Sequence, residues 1–483
     1  MRQLPLVEAF IDGRRVPARD TFADLDPSTG LPCARVSRCG PAEVDRAVTG
    51  ARAAFETTWR RTTAATRAAA CRAIADTLRA HRRELAELEC LDTGKPIGQA
   101  YTDADVAARY FDFYAGTVEA LHGRTLLDHP DLLAYTLQEP HGVCGHIIPW
   151  NYPMQITART LAPALAAGNT CVLKPAEDAP LTPVRIAELA VEAGLPAGVL
   201  NAVPGTGAEA GAALAAHPDL DHLAFTGSRA TGQSVMTAAA RGIVPVTLEL
   251  GGKSPHLVFP DHDPATAVPR IVASVIEHAG QNCSAGTRVL VHHSVHAQLT
   301  EAVAEAFTAL RIGPGAEDPD LGPLISARQR ETVLDHIDGG RKAARLVVGG
   351  GVPSVPPGGF FVEPTLFDDV PPDAAVAQQE IFGPVLCVIP FRDTAEAVAL
   401  ANATTYGLSA GVWTRDVGLA HAVARALRVS QVFVNTYSAA GGVELPFGGY
   451  RRSGFGREKG FAALLEYTRV KAVAIRVDDA ADW

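Results

Sequence analysis

Three residues stand out by type and setting. Cys283 lies in Gly280-Gln281-Asn282-Cys283-Ser284-Ala285-Gly286. Glycines on both sides and polar neighbours suit a turn that exposes a thiol and offers backbone N–H groups, and a thiolate so placed is a strong nucleophile. A buried, inert thiol is the ordinary alternative. Glu249 lies in Val246-Thr247-Leu248-Glu249-Leu250-Gly251-Gly252-Lys253. A carboxylate inside an apolar strand either pairs with a cation such as an arginine or has a task. The task would be that of a general base whose pKa is raised by apolar walls. Asn151 stands between Pro149-Trp150 and Tyr152-Pro153. The prolines fix the backbone and so set the amide's direction. It is either a turn asparagine or a hydrogen-bond donor to an oxyanion.

A second group could hold a cofactor. Lys174 and Glu177, in Leu173-Lys174-Pro175-Ala176-Glu177, follow an apolar run. They are either a solvated loop or a grip for a dinucleotide's ribose. Gly205-Thr206-Gly207 leads to Gly211, and Phe225-Thr226-Gly227-Ser228 leads to Gly232. Neither is the G-x-G-x-x-G fingerprint, yet each follows a strand and opens a helix, where N–H groups can meet a phosphate. Tight turn packing explains them equally well. The fifteen histidines show no ligand spacing, so no metal site is assigned. Arg451 and Arg452 read as solvated loop charge.

These residues need elements to position them. Apolar spacing predicts amphipathic helices over 41–58, 64–92 and 102–119. Beyond them, apolar runs at 144–150, 170–174, 199–203, 222–225 and 244–250 alternate with helices starting near Pro153, Leu181, Thr206 and Ser228. That alternation predicts an α/β fold, a parallel sheet covered on both faces, with ligands at the carboxyl ends of its strands. A second such series has runs at 256–259, 288–292, 345–348, 385–391, 408–413 and 431–434. Segments 131–139 and 469–477 alternate residue by residue and fit neither series; each predicts a strand of a smaller sheet. The Pro- and Gly-rich stretch 349–359 reads as a loop.

Bulk properties narrow the class. A chain of 483 residues is long enough for several domains, and its net charge of -10 disfavours nucleic acid or an anionic membrane as partner. There is no secretory signal pattern near the start and no long apolar run, so no membrane span is expected. The eight cysteines form no C-x-x-C pair, which points to a reduced, cytoplasmic setting rather than a disulfide framework.

Taken in order, the motifs resemble the aldehyde dehydrogenase superfamily. They are Pro149-Trp150-Asn151-Tyr152-Pro153, Lys174-Pro175-Ala176-Glu177, Phe225-Thr226-Gly227-Ser228, Leu248-Glu249-Leu250-Gly251-Gly252-Lys253, Gly280-Gln281-Asn282-Cys283, Glu380-Ile381-Phe382-Gly383-Pro384 and Pro446-Phe447-Gly448-Gly449. The likeness runs from about Phe10 to Val477. It implies an NAD-dependent, hydrolytic dehydrogenase with a Rossmann-type cofactor domain (1–118 and 140–251), an α/β catalytic domain (252–451) and oligomerisation segments (119–139 and 466–483). It implies a homodimer or homotetramer. Cys283 would be the nucleophile, Asn151 and the Cys283 N–H the oxyanion site, and Glu249 the base for deacylation, with Lys174 among the catalytic group. Cofactor contacts would come from Ile147, Pro149, Trp150, Lys174, Glu177, Gly207, Gly211, Phe225, Thr226, Gly227, Ser228, Leu250, Gly251, Glu380 and Phe382. Glu177 would accept hydrogen bonds from a ribose and repel a 2′-phosphate, favouring NAD over NADP.

By the same resemblance, Tyr152, Ile156, Arg159, Glu277 and the loop 437–444 would line the substrate funnel. Arg159 occupies a position where carboxylate-binding members place an arginine. Glu277, six residues before Cys283, argues against a dicarboxylic semialdehyde, and the two could pair across the mouth. A broad or polar-substituted aldehyde is expected. Two rivals are a dehydrogenase passing the thioester to coenzyme A, and a catalytically silent structural relative. The presence of Glu249 counts against the first, and of Cys283, Asn151 and Glu249 together against the second.

Overall fold

The computed structural model describes residues 4–126, 131–355, 357–438 and 442–477. Parts of the expected terminal segments and of the loop 437–444 lie outside these. Two large sheets organise the chain. The first has eight strands, ordered Gly454–Phe455, Val246–Glu249, His222–Thr226, Val143–Ile147, Thr170–Lys174, Leu200–Ala202, Ala9–Ile11 and Arg14–Val16. The five from Val246–Glu249 to Leu200–Ala202 run parallel, as the strand–helix alternation predicts. Both edges, however, are closed by antiparallel segments from distant parts of the chain.

Local chemistry explains the alternation. The helix Pro153–Ala167 opens on proline and ends at Gly168, whose φ of 101° suits a residue without a side chain. The chain then turns directly into Thr170–Lys174, which is buried along its whole length because helices cover both faces. The helix Leu181–Glu192 follows and leads to Leu200–Ala202.

The second sheet has seven strands, ordered Arg345–Val348, Thr365–Asp368, Val385–Phe391, Arg288–His292, Pro255–Val258, Ser409–Trp413 and Gln431–Val434. All pair in parallel except Arg345–Val348. The chain passes from the first sheet to the second between Glu249 and Pro255. Thr365–Asp368 was not anticipated.

Two expected helices differ in detail. The segment 64–92 divides at His81 into Ala64–Ala80 and Arg82–Thr93. The next helix starts earlier than expected, at Ile97, and runs to Thr117. The alternating segments form Leu132–Pro140 and Thr468–Arg476, which pair antiparallel from Leu132↔Arg476 to Pro140↔Thr468. Thr125–Leu126 completes that small sheet. A further three-stranded sheet, Leu6–Val7, Leu31–Ser37 and Thr21–Asp26, precedes the first expected helix and was not anticipated.

Candidate active site

The loop that carries Cys283 is shaped by an unusual bend. His278, Ala279 and Gly280 all have positive φ, at 47°, 54° and 74°. Two consecutive non-glycine residues in that region are strained. Gly280 is needed for a second reason: a Cβ there would lie 2.3 Å from the Gly383 carbonyl oxygen. Gln281 then locks the loop from below. It is fully buried, donates Nε2–H to the His278 carbonyl at 3.1 Å and accepts the Ile325 N–H at 2.9 Å. Above it, Asn282 Oδ1 accepts from both the N–H and the hydroxyl of Ser284 at 3.0 Å. Cys283 sits half-buried between these anchors, and six of the other seven cysteines are buried. Burial pushes its thiol up to about 12, against the opposing pull of Arg159 and Lys459. The thiol at rest is protonated, so attack needs a base.

Asn151 is held by charge from behind. Its carbonyl accepts from Lys95 Nζ at 3.2 Å. Lys95 is itself buried with Glu89, at 3.0 Å, and with Asp103. A buried cation with two carboxylates and a carbonyl is well compensated, and it fixes the turn after Val143–Ile147. The Asn151 side chain gives one amide hydrogen to the Gln281 carbonyl at 2.9 Å, while its Oδ1 has no partner.

Glu249 ends the strand Val246–Glu249 and is 1% exposed. Neither carboxylate oxygen has a hydrogen-bond partner. Burial, reinforced by the charge of Glu458, raises its pKa well above the ordinary carboxylate range. The arginine pairing left open by the sequence does not occur here; Arg159 pairs with Glu458 instead. Gly448 passes so close that a Cβ there would lie 2.8 Å from Glu249 Oε1.

Two cavities meet at this centre. One, of about 410 Å³, is lined by Tyr152, Ile156, Arg159, Glu277, Phe447 and Lys459 among others. The second, of about 280 Å³, is lined by Pro149, Trp150, Thr226, Gly227, Ser228, Glu249, Leu250, Gly251, Glu380 and Phe382. Among the described residues, Asn151 and Cys283 alone belong to both walls.

The smaller cavity has features of a built cradle. Glu380 Oε1 accepts the Gly252 N–H at 3.1 Å, and a Cβ on Gly251 would lie 1.8 Å from the Glu380 carboxylate, so a side chain there would displace that carboxylate. Burial raises the Glu380 carboxyl to about 7. Trp150 and Phe382 meet edge to face at 5.3 Å. Ser228 lines the cavity and caps the helix Arg229–Ala240 by accepting the Thr231 N–H at 3.2 Å. Phe225 is buried in its strand rather than in the cavity wall. Its ring supports Gly227, where a Cβ would meet it at 2.6 Å. Ile147 is likewise a buried strand residue.

Lys174 and Glu177 form their own site. Lys174 Nζ donates to Glu177 Oε2 at 3.2 Å, beside the π-helical turn Gly207–Gly211. A Cβ on Gly207 would stand 4.0 Å from the Glu177 carboxylate, and one on Gly211 3.9 Å from the Lys174 stem. Burial raises the Glu177 pKa, but Lys174 and the Gly207 N–H outweigh it and leave the carboxyl below its ordinary value. Lys174 lines neither cavity that contains Cys283.

The larger cavity corrects one expectation and adds residues the sequence reading missed. Arg159 and Glu277 do not pair across the mouth. Arg159 is ion-paired with the buried Glu458, and Glu277 faces the Tyr152 hydroxyl. Lys459, Asp103, Gln99 and Gln155 also line this space. The signal for Lys459 was present in Gly454-Phe455-Gly456-Arg457-Glu458-Lys459-Gly460, a glycine-rich charged run shortly after Pro446-Phe447-Gly448-Gly449.

Comparison with known proteins agrees with this geometry. A sequence model described as "Aldehyde dehydrogenase family" matches residues 15–473. A hydroxyisobutyraldehyde dehydrogenase of Mycolicibacterium austroafricanum is 41% identical, covering 98% of this chain and 95% of that protein. The horse mitochondrial aldehyde dehydrogenase is 42% identical, covering 95% and 93%. Among solved structures, an NAD+ complex of aldehyde dehydrogenase from Bacillus cereus superposes with a TM-score of 0.96 at 42% identity, covering 98% of this chain and 97% of that one. A gamma-glutamyl-gamma-aminobutyraldehyde dehydrogenase from Burkholderia cenocepacia does so with 0.96 at 43%, with the same coverage.

Proposed function

The chain belongs to the aldehyde dehydrogenase family, and from that premise we propose that it oxidises an aldehyde to a carboxylic acid with NAD, through a thioester on Cys283. One observation carries this reading. Cys283 and Asn151 stand on the partition between two cavities, the smaller built as a cradle, with an unpartnered Glu249 in the cradle wall.

Glu177 and Lys174 would hold a ribose, Ser228 and Trp150 the pyrophosphate, and Glu380 with Phe382 the second ribose. Bound there, NAD supplies the hydride acceptor. The aldehyde enters from the larger cavity. Glu249 takes the thiol proton, and the Cys283 thiolate attacks the carbonyl carbon. The oxyanion is held by the Asn151 amide and the Cys283 N–H. Loss of hydride leaves the thioester. Glu249 releases the thiol proton to solvent and then draws a proton from water, the hydroxide adds to the thioester, and the acid departs as the Cys283 thiolate leaves and takes that proton back from Glu249.

The first sheet, apart from its edge strand Gly454–Phe455, belongs to the cofactor domain of 1–118 with 140–251, and the second to the catalytic domain of 252–451. The small sheet joins copies into a homodimer or homotetramer. Leu132, Leu133, Leu137, Val470 and Ile475 are exposed on it, and such a surface favours a partner. The eight unpaired cysteines support a cytoplasmic setting. Among the described residues no helix is long and apolar enough to cross a membrane.

The test is NADH formation at 340 nm with a panel of aldehydes, NAD or NADP, with and without coenzyme A. Turnover with NAD alone is expected. Cys283→Ala is expected to abolish turnover while NAD still binds; full activity in that variant would sink the assignment.

A further inference from the structure

Past the last strand of the second sheet, the chain turns back on the loop that carries Cys283. The strand Gln431–Val434 ends at Asn435, whose φ of 54° bends the chain, and Ser438 bends it again with a φ of 56°. Positive φ is costly for a residue with a side chain, so the bend must be held. Thr414 holds it: Asn435 Oδ1 accepts the Thr414 N–H at 3.0 Å, and Asn435 Nδ2 donates to the Thr414 carbonyl at 2.9 Å. Two residues on, Tyr437 is buried and its hydroxyl donates to the Ser284 carbonyl at 2.6 Å. Its neighbour Ser438 lines the larger cavity.

The ring behind this hydroxyl is itself fixed. It lies 4.4 Å from the His256 ring and meets Phe433 edge to face at 5.6 Å. Trp413 Nε1 donates to His256 Nδ1 at 3.1 Å, so His256 carries its proton on Nε2 and donates it to Ser274 Oγ at 3.0 Å. Burial pushes the His256 pKa down to about 3, which keeps the ring neutral. A Cβ on Gly411 would lie 3.0 Å from the Tyr437 ring, and one on Gly286 2.1 Å from His256 Nε2. Gly286 belongs to the Cys283 loop, so that loop meets the aromatic stack twice, at Ser284 and at Gly286.

The loop is therefore anchored on both sides of the thiol. Upstream, the Gln281 carbonyl accepts the Asn151 amide, and downstream the Ser284 carbonyl accepts the Tyr437 hydroxyl. Between them the Cys283 carbonyl passes so near Gly252 that a Cβ there would lie 2.4 Å away. We propose that Tyr437 is a positioning residue for Cys283: its hydroxyl holds the turn at Ser284 so that the thiol and the Cys283 N–H meet a carbonyl group in one geometry. The proposal rests on the reading of Cys283 as the nucleophile. Attack tolerates little misplacement, and an error of about 1 Å can cost about 10²-fold.

The experiment uses Tyr437→Phe, which keeps the ring and removes only the hydroxyl. Two single turnovers are followed with enzyme in excess. One is NADH formation from an aldehyde with NAD. The other is nitrophenolate release from p-nitrophenyl acetate without cofactor, in which Cys283 takes the acetyl group. Both rate constants are expected to fall by about ten- to a hundred-fold. The stoichiometry and affinity of NAD binding should hold, and deuterium exchange should quicken over 283–287. A merely structural role would leave fewer folded copies, lower the NAD stoichiometry and spare the rate constants. Asn435→Gly, at an exposed position, permits the same bend and removes the clamp on Thr414. It should slow both turnovers together, by less, and it decides the matter if Tyr437→Phe fails to fold. Unmoved rate constants, a loss confined to NADH formation, or a loss of NAD stoichiometry alone would each overturn the proposal. Nitrophenolate release that survives Cys283→Ala would instead strike the reading of Cys283 as the nucleophile.

Discussion

Asn151 donates its side-chain amide to the carbonyl oxygen of Gln281, two residues before Cys283, at 2.9 Å. The Asn151 amide and the loop that carries Cys283 are thereby one unit. Lys95 fixes the other end of that unit through the Asn151 carbonyl. Asn151→Ala is expected to lower kcat about 10²–10³-fold. Single-turnover measurement of NADH release should place the loss in thioester formation.

Glu249 has a raised pKa because it is buried and near Glu458. A base must be ionised to act, so the steady-state rate is expected to climb with pH well beyond the ordinary carboxylate range rather than level off there. Glu249→Gln is expected to slow both the burst of NADH and the steady turnover, and the alkaline climb should vanish. An unchanged steady rate would mean that another group deacylates.

Glu177 presents a negative carboxylate beside Gly207. Glu177→Gln is expected to shift the NAD-to-NADP ratio of kcat/KM toward NADP by about ten-fold. An unmoved ratio would remove Glu177 from the ribose site.

Asp24 and Asp92 face one another in the interior. Burial pushes Asp24 up to about 6 and Asp92 well above the usual carboxylate range. The fold therefore keeps protons that the unfolded chain releases near pH 4, so stability falls as pH rises from about 4 toward 6. In Asp92→Asn the amide oxygen can still accept the Leu181 N–H, which Asp92 Oδ2 accepts at 2.8 Å, and the amide nitrogen can donate to Asp24. That variant is expected to gain about 2 kcal/mol at neutral pH, read as a higher Tm at pH 8 and a smaller gain at pH 4.

Much of this architecture was legible in the sequence where burial is complete on both faces. Thr170–Lys174, Arg288–His292 and Val385–Phe391 fall where the apolar runs place them. Their neighbours in sequence are helices, so each run stands out. Arg14–Val16 and Thr21–Asp26 were invisible because they are short, partly charged and half-exposed at sheet edges. The break at His81 has neither glycine nor proline to announce it. Cys283, Asn151 and Glu249 were found because each is out of character with its surroundings. Lys459 was not, since a lysine in a charged, glycine-rich run looks like solvated surface until Phe447 is seen beneath it. The Arg159–Glu458 pair spans about 300 positions, and no local pattern announces so remote a partner.

The pairing of Leu248 with Phe455 and of Glu249 with Gly454 has a consequence for how the chain is made. The two partners are about 200 residues apart, so the strand bearing Glu249 keeps one edge open throughout synthesis of the entire second sheet. A nascent chain carries that unpaired edge until residue 455 has left the ribosome, and only the finished chain closes it.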